Sequence, residues 1–304
     1  MLPTELLLEI ISLAVHSARN RPGVLRLSQV SRRFRVTVLS MSRLFTEADW
    51  NVWHVSLVEL WCRRARPHLL NIYLNHATIR SLAAGATPKR KTLLESYSSR
   101  WGALSIHFCS FGLRDLSITN GITRLLECPA PSLHTLQLSR FAPGDAATDS
   151  LLLDGCTPRF RVLHLRRVWP LLSTPCASVV DLTCVCENSV DWLRCLNVVM
   201  SCQSLQRLTL DFRNYQGHGV SSVSVPIIQT VLKSLLHLEL REVRGVNVAE
   251  IRGFLGLFDI PNLDSLGLQP CASVIEPWAD LYESLVRSQA FEMFNSFETP
   301  CTGR

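Results

Sequence analysis

Four cysteines form the densest group of potentially reactive side chains in the sequence: Cys184, Cys186, Cys195 and Cys202. A structural zinc site would need paired short spacings between its ligands, and only Cys184 and Cys186 are close together. Cys184 also falls on a predicted core strand, and free cysteine packs as a small hydrophobic residue. We therefore interpret these thiols as reduced and buried, and predict no metal site.

Other motifs for catalysis or nucleotide binding are absent from the sequence. It has no Gly-x-x-x-x-Gly-Lys, His-Glu-x-x-His, Gly-x-Ser-x-Gly or Cys-x-x-Cys pattern, and its nine histidines have no triad or ligand spacing. Gly217-His218-Gly219 is too short for a nucleotide loop and is typical of a surface turn. We predict no cofactor and no enzymatic activity.

Composition indicates a globular protein. The 304 residues suggest about two domains, and 47% hydrophobic with 18% charged residues excludes a disordered chain. No uncharged apolar run reaches the roughly 18 residues of a spanning helix, and Leu6–Val15 lacks the basic region of a signal peptide. The 11 scattered cysteines form no disulfide framework and no Asn-X-Ser/Thr site occurs, so we expect a cytoplasmic or nuclear protein without membrane contact.

Positive charge is concentrated in the N-terminal third. Up to Arg100 there are fifteen basic and six acidic residues, a net charge of +9, so the total of +6 leaves −3 for the remainder. The cluster Arg32-Arg33-Phe34-Arg35 fits either a solvated helix face or an acidic protein partner. We do not expect nucleic acid as the partner.

Two helical patterns before residue 45 predict two or three short amphipathic helices. Leu6, Leu7, Ile10, Ile11 and Ala14 recur at helical spacing, and so do Leu27, Val30, Phe34 and Val38 after the break at Pro22-Gly23. A unit this small rarely folds without help. The pattern therefore indicates that these helices dock on a partner or on the rest of the chain.

The same residues resemble an F-box. Leu2-Pro3-Thr4-Glu5-Leu6-Leu7-Leu8-Glu9-Ile10, then Leu27-Ser28-Gln29-Val30-Ser31-Arg32-Arg33-Phe34-Arg35, then Leu39 and Leu44-Phe45, follow the order and spacing of that family. Phe34 and Phe45 stand where the family commonly has tryptophan. The resemblance implies binding to a Skp-family adaptor of a cullin–RING ubiquitin ligase, with contacts from Leu2, Pro3, Leu6, Ile10, Leu27, Val30, Phe34 and Leu39.

The alternative is a helical cap that only packs on the following domain. The two interpretations differ in one observable property. Docking on a partner requires Leu6, Ile10, Val30 and Phe34 to stay partly exposed in the isolated chain.

A repeated Leu-x-x-Leu-x-Leu signature dominates the rest of the chain. It begins at Leu113, Leu133, Phe160, Val179, Leu205, Leu235 and Leu263, with weaker copies at Leu69 and Trp101. The seven main copies are separated by 25 residues on average, within the roughly 20–29 of leucine-rich repeats. Helices are predicted between strands at Val190–Met200 and Val248–Phe258. The asparagine usual after the last strand leucine is missing, which predicts an irregular horseshoe; an unrelated α/β domain with leucine-rich parallel strands is the alternative.

The predicted fold is thus α/β, a short all-α F-box followed by an irregular leucine-rich-repeat horseshoe with a parallel β-sheet. We place an F-box at 1–48, a helical linker with a first weak repeat at 49–100, and the repeat domain at 101–304. In the linker, 49–66 is expected to be mostly helical and Ala84–Lys91 to be a loop. This combination is similar to fungal F-box proteins with divergent leucine-rich repeats, which implies a substrate receptor of an SCF-type ligase with a protein substrate. The alternative function is a repeat scaffold or nucleic-acid-associated protein without ligase activity.

Residues beside the strand leucines are expected on the concave face, which repeat proteins use for binding. Charges of both signs concentrate there in the middle repeats. The candidate substrate-binding residues are Arg166, Arg207, Asp211, His237, Glu239 and Arg241. A plain solvated sheet face is the alternative.

Overall fold

The computed structural model describes residues 3–17, 22–51, 54–108, 125, 128–140, 150–152, 160–171, 178–213, 230–241 and 258–269. The chain divides into two compact units. The first comprises Met1–His164 with Pro170–Thr174, and the second comprises Leu165–Trp169 with Pro175–Arg304. The domain boundaries expected after residues 48 and 100 stay predictions.

Three short helices open the first unit. They are α1 (Thr4–Ser17), α2 (Pro22–Val30) and α3 (Arg32–Ser40), followed by a 3-10 turn at Ser42–Phe45. Ser31 caps α3, because its side-chain oxygen accepts a hydrogen bond from the Phe34 N–H at 3.2 Å. Leu7, Ile11 and Val38 are buried where the helices meet.

The remainder of the first unit is built on parallel strands. After the 3-10 turn come β1 (Glu47–Asp49), α4 (Val55–Arg64), β2 (Leu70–Asn75), α5 (His76–Ala83), α6 (Pro88–Ser96), a 3-10 turn (Ser98–Arg100), β3 (Trp101–Phe108), β4 (Thr135–Arg140) and β5 (Ser150–Leu152). The pairs β1–β2, β2–β3 and β3–β4 are all parallel. In β2 buried and half-buried residues alternate, as expected when one strand face is in the core.

Two polar side chains, those of Arg100 and Asn51, form hydrogen bonds between different elements of this unit. The Arg100 guanidinium donates to the carbonyls of Cys62, at 2.8 Å, and His68, at 2.7 Å. The side-chain oxygen of Asn51 accepts from the Asn75 N–H at 2.6 Å and from the Thr78 hydroxyl at 2.9 Å. The bonds to the Cys62 and His68 carbonyls and from the Asn75 N–H satisfy backbone groups near strand and helix ends.

The second unit repeats the same construction. Strands β6 (Val162–Arg166) and β7 (Trp169–Leu171) have residues in each unit. The elements that lie wholly in the second unit are β8 (Asp181–Val185), α7 (Ser189–Ser201), β9 (Arg207–Asp211), β10 (Thr230–Val231), β11 (His237–Arg241), β12 (Phe258–Asp259) and β13 (Ser265–Gln269). Strands β8, β9, β11 and β13 pair in that order, all parallel. Their leucines lie in register, Leu182 beside Leu208 and Leu208 beside Leu238, so each strand covers the apolar side chains of the next.

The predicted α/β class with a parallel sheet is confirmed. Strands occupy the signature copies that begin at Leu69, Trp101, Leu133, Phe160, Val179, Leu205, Leu235 and Leu263. The copy that begins at Leu113 lies outside the described residues. The helix predicted at Val190–Met200 is present as α7.

Of three local predictions, one is confirmed and two are wrong. Residues 49–66 are mostly helical, because the ten residues of α4 (Val55–Arg64) make up most of the range, although Leu60 on the expected apolar face is 46% exposed. Ala84–Lys91 is not one loop, since α6 begins at Pro88; proline suits a first helical turn, where its missing N–H costs nothing. Phe258 lies in β12 instead of a helix, and most of Val248–Phe258 lies outside the described residues.

Candidate functional site

A group of large apolar side chains on α1–α3 stays in solvent. We call it the N-terminal apolar surface, and its members, 47–65% exposed, are Leu6, Ile10, Leu13, Val30 and Val36. Exposed apolar groups of this kind on neighbouring helices are typical of interaction surfaces.

The broad apolar stripe of α1 is divided between two environments. Adjacent helical positions differ by about 100° around the axis, since a turn takes 3.6 residues. Leu7 and Ile11 therefore face the helix bundle, with 2% and 0% exposure, while Leu6 and Ile10 face outward. The apolar residues exceed what three short helices can cover among themselves.

Most of the predicted adaptor contacts are accessible in the described residues. Leu6, Ile10 and Val30 are exposed, as is Pro3. Leu27, Phe34 and Leu39 are half-buried, and Leu2 lies outside the described residues. The expectation that Leu6, Ile10, Val30 and Phe34 stay partly exposed is confirmed; their role in binding stays a prediction.

Arginines accompany the apolar surface. Arg26, Arg32, Arg33 and Arg35 are all exposed on α2 and α3. The Arg35 Nε–H donates to the Ser28 carbonyl at 3.0 Å, which holds that side chain along the junction of the two helices. A surface of apolar and cationic groups is complementary to a partner with apolar side chains and carboxylates.

A second candidate surface, the charged sheet face, lies on β8, β9 and β11 and includes Arg213. Its first cross-strand row is Asp181, Arg207 and His237, which are register neighbours. An ion pair joins the Arg207 Nη1 to the Asp181 Oδ2 at 3.6 Å. The His237 Nδ1 lies 2.7 Å from the Ser265 hydroxyl on β13.

Two further ion pairs each join residues two positions apart in the sequence. The Arg241 Nε and Nη2 donate to the two Glu239 oxygens at 2.7 Å each, a bidentate arrangement that raises the pKa of Arg241. The Arg213 Nη2 donates to the Asp211 Oδ2 at 2.9 Å. Gly267 lies beside Glu239 in register, and an added Cβ there would be 3.3 Å from the Glu239 Cγ. A side chain at this position would therefore crowd Glu239.

A buried acidic centre lies at the carboxyl ends of β6 and β8. Glu187, 4% exposed, forms ion pairs with Arg166, at 3.3 Å, and with Arg167. Arg167 has a φ of 55°, an uncommon conformation for a residue other than glycine. This turn directs the side chains of both adjacent arginines toward Glu187, so they share its carboxylate.

Asp191 extends the centre onto α7. Its carboxylate accepts from the Trp169 indole N–H at 2.8 Å and from the Glu187 N–H at 3.2 Å. Burial raises the pKa of Asp191 above its usual value, although the hydrogen bond from Trp169 opposes this. Since each contact joins β7 or the end of β8 to α7, the centre fixes the helix against the strands.

The four cysteines singled out in the sequence are free and buried, as predicted. Burial raises the pKa values of the Cys184 and Cys186 thiols on and after β8, and both hydrogen-bond to Cys195 on α7. In the described part of the chain, no group of three or more His, Cys, Asp and Glu side chains is arranged to hold a metal ion. The arrangement is that of a packed strand–helix contact.

The six predicted substrate-binding residues occupy two neighbouring environments. Arg207, His237, Glu239 and Arg241 are on the charged sheet face, whereas Arg166 belongs to the acidic centre. Asp211 is 6% exposed beneath Arg213, so it is nearly buried instead of open to a ligand. Arg213 was not predicted, although the acid-x-Arg spacing that it shares with Glu239 and Arg241 is visible in the sequence.

The comparisons with known proteins identify no family for this chain. No family model matches the sequence, and no curated protein matches it either. Within the described ranges, no helix is both long and apolar enough to cross a membrane.

Proposed function

We propose that this protein is a substrate receptor of an SCF-type cullin–RING ubiquitin ligase. In this proposal α1–α3 bind a Skp-family adaptor, and the strand region binds a protein substrate. The observation that carries it is the exposure of Leu6, Ile10 and Val30 on α1 and α2. These are positions at which the resemblance to the F-box family places adaptor contacts.

The energetics of the three helices support a partner. A buried leucine, isoleucine or valine side chain contributes about 1.5–3 kcal/mol relative to an exposed one. Leu6, Ile10 and Val30 contribute little of this in the isolated chain, because roughly half or more of each remains in solvent. Covering them on association would supply that free energy, and the exposed arginines nearby fit an adaptor surface that also carries carboxylates.

The ubiquitin transfer reaction would take place on other subunits of the complex. This chain would contribute binding alone, and the charged sheet face is the proposed substrate region. Its exposed arginines and hydrogen-bonding groups suit recognition of a polar protein surface.

Capture of adaptor and cullin by the tagged full-length chain tests the proposal. The variant Leu6→Ala/Ile10→Ala/Val30→Ala removes three apolar anchors, each worth about 2 kcal/mol in a buried interface, so adaptor affinity should fall by two or more orders of magnitude. The matched control is Leu60→Ala/Leu69→Ala/Val231→Ala, which truncates equally exposed apolar residues elsewhere. The control should capture the adaptor as the unmodified chain does.

Two results would contradict the proposal. One is equal adaptor capture by the first variant and the control. The other is recovery of neither adaptor nor cullin by the unmodified chain, which would favour a repeat scaffold whose N-terminal helices serve another contact.

A further inference from the structure

On the charged sheet face the cations project outward and the carboxylates lie deeper. The side chains of Arg207, Arg213 and Arg241 are 41–62% exposed, whereas those of their partners Asp181, Asp211 and Glu239 are 9–27% exposed. The numbers of positive and negative groups are equal here. A ligand that approaches from solvent nevertheless meets the guanidinium groups first.

The carboxylates also hold the arginines in place. Glu239 takes two of the five N–H donors of Arg241, and the Asp211 side chain accepts both from the Arg213 guanidinium and from the Arg213 N–H. An arginine that is already oriented loses less conformational entropy when it binds a second anion. These pairs therefore prepare cationic groups for a ligand.

We propose that this face binds an extended acidic polypeptide segment, with carboxylates that reach Arg207, Arg241 and Arg213. The proposal rests on the proposed function only in taking this face as the substrate region. It names the substrate class: proteins with an exposed acidic segment.

The spacing of the arginines fits an extended chain. Arg207 on β9 and Arg241 on β11 lie four register positions apart, so their Cα atoms are separated by about 14 Å, from a rise of about 3.3 Å per residue and a strand spacing of about 4.8 Å. Side chains on one side of an extended peptide recur about every 7 Å, so this separation is close to the span of four extended residues. Arg213 follows β9, two residues after Asp211, which is the register neighbour of Arg241.

The surrounding groups favour a peptide over a nucleic acid. Glu239 and Asp181 lie among the arginines, and His237 and Ser265 provide hydrogen-bonding groups. A duplex carries one charge per roughly 1.7 Å of its axis, which would place phosphates against those carboxylates. A peptide that alternates acidic and neutral residues can avoid this like-charge contact.

Fluorescence anisotropy with the full-length chain tests the inference. The probe is a fluorescein-labelled octapeptide of alternating Glu and Ser, and its control is the corresponding Gln–Ser octapeptide. The Glu–Ser peptide should bind more tightly than the Gln–Ser peptide, and its affinity should fall as the salt concentration increases. Arg213→Gln and Arg241→Gln should each weaken its binding about tenfold, as expected for the loss of one hydrogen bond to a charged group.

Arg63→Gln is the matched control variant. Arg63 is also an exposed arginine paired with a carboxylate, that of Glu59, but it lies on α4. It should bind the Glu–Ser peptide as the unmodified chain does. If Arg241→Gln fails to fold by circular dichroism, Arg213→Gln decides the test, because its side chain is the most exposed of the three.

Three outcomes would overturn the inference: equal binding of the Glu–Ser and Gln–Ser peptides, equal losses in Arg63→Gln and Arg213→Gln, or tighter binding of a decathymidylate than of the Glu–Ser peptide. Adaptor capture by Arg213→Gln is measured in parallel. Adaptor capture by an unmodified chain that does not bind the acidic peptide would sink this inference and leave the proposed function standing. Peptide binding without adaptor capture would do the reverse.

Discussion

The N-terminal apolar surface and the charged sheet face are both accessible to solvent. They differ in whether their side chains already have partners within the chain. Each arginine of the charged sheet face has a carboxylate within 3.6 Å, so its charge is balanced without a ligand. Leu6, Ile10 and Val30 have no comparable arrangement, because an apolar group in water is stabilised only by being covered. The first surface therefore depends on a partner more than the second.

This difference has consequences for how the two surfaces should bind. Association through the N-terminal apolar surface should resist salt, since burial of apolar area contributes most of its free energy. Association through the charged sheet face should be weaker and should decrease with ionic strength. A receptor built in this way would hold its adaptor firmly and exchange its substrates.

The largest expected effect separates the two faces of α1. The change Leu7→Ala/Ile11→Ala removes two buried side chains and should destabilise the helical region by about 5 kcal/mol, the sum of two core truncations. The change Leu6→Ala/Ile10→Ala should cost less than about 1 kcal/mol, because these side chains are half in solvent. Native-state hydrogen exchange of the α1–α3 amides measures both values. Similar losses for the two variants would mean that both faces are covered in solution.

A smaller effect contrasts buried and exposed carboxylates in the second unit. Glu187 is only 4% exposed, and Glu187→Gln leaves Arg166 and Arg167 without their shared carboxylate. The free energy of unfolding should fall by about 2–3 kcal/mol. Glu239→Gln removes a more accessible ion pair and should cost less than about 1 kcal/mol. Thermal unfolding followed by circular dichroism compares the two variants. A larger loss for Glu239→Gln would show that the charged sheet face carries stability instead of recognition.

The smallest effect concerns the space beside Glu239. Gly267→Ala places a Cβ at 3.3 Å from the Glu239 Cγ, a tight contact that a flexible side chain can relieve by a small shift. Replacing glycine also restricts the unfolded chain, which stabilises by about 0.4–1 kcal/mol. The two contributions oppose each other, so stability should change by less than about 0.5 kcal/mol. A loss above about 1.5 kcal/mol in urea unfolding would mean that the Glu239–Arg241 pair cannot shift.

The α/β class and the positions of most strands could be predicted from the apolar pattern of the sequence. In Leu-x-x-Leu-x-Leu the apolar residues must enter a shared core, so the pattern reports strand placement at Leu182, Leu208 and Leu238 without knowledge of neighbours. The sequence also indicated the helical character of the N-terminal residues, because their apolar spacing matches 3.6 residues per turn. The proposed adaptor and substrate functions rest on resemblance and on surface chemistry, which the fold alone does not supply.

Which of the apolar residues are buried, and which distant residues meet, depends on the tertiary structure. Leu6 and Leu7 are the same residue type in adjacent positions, and only the packing of α1 in the folded chain makes Leu7 interior and leaves Leu6 exposed. Strand β1 has three residues and exists because β2 pairs with it, so no local pattern could reveal it. Glu187 and Arg167 meet through a turn with an unusual φ, and the nearly buried Asp211 pairs with Arg213, which lies beyond the end of β9. Such contacts depend on how the folded elements approach one another, and the periodicity of the sequence carries no information about that approach.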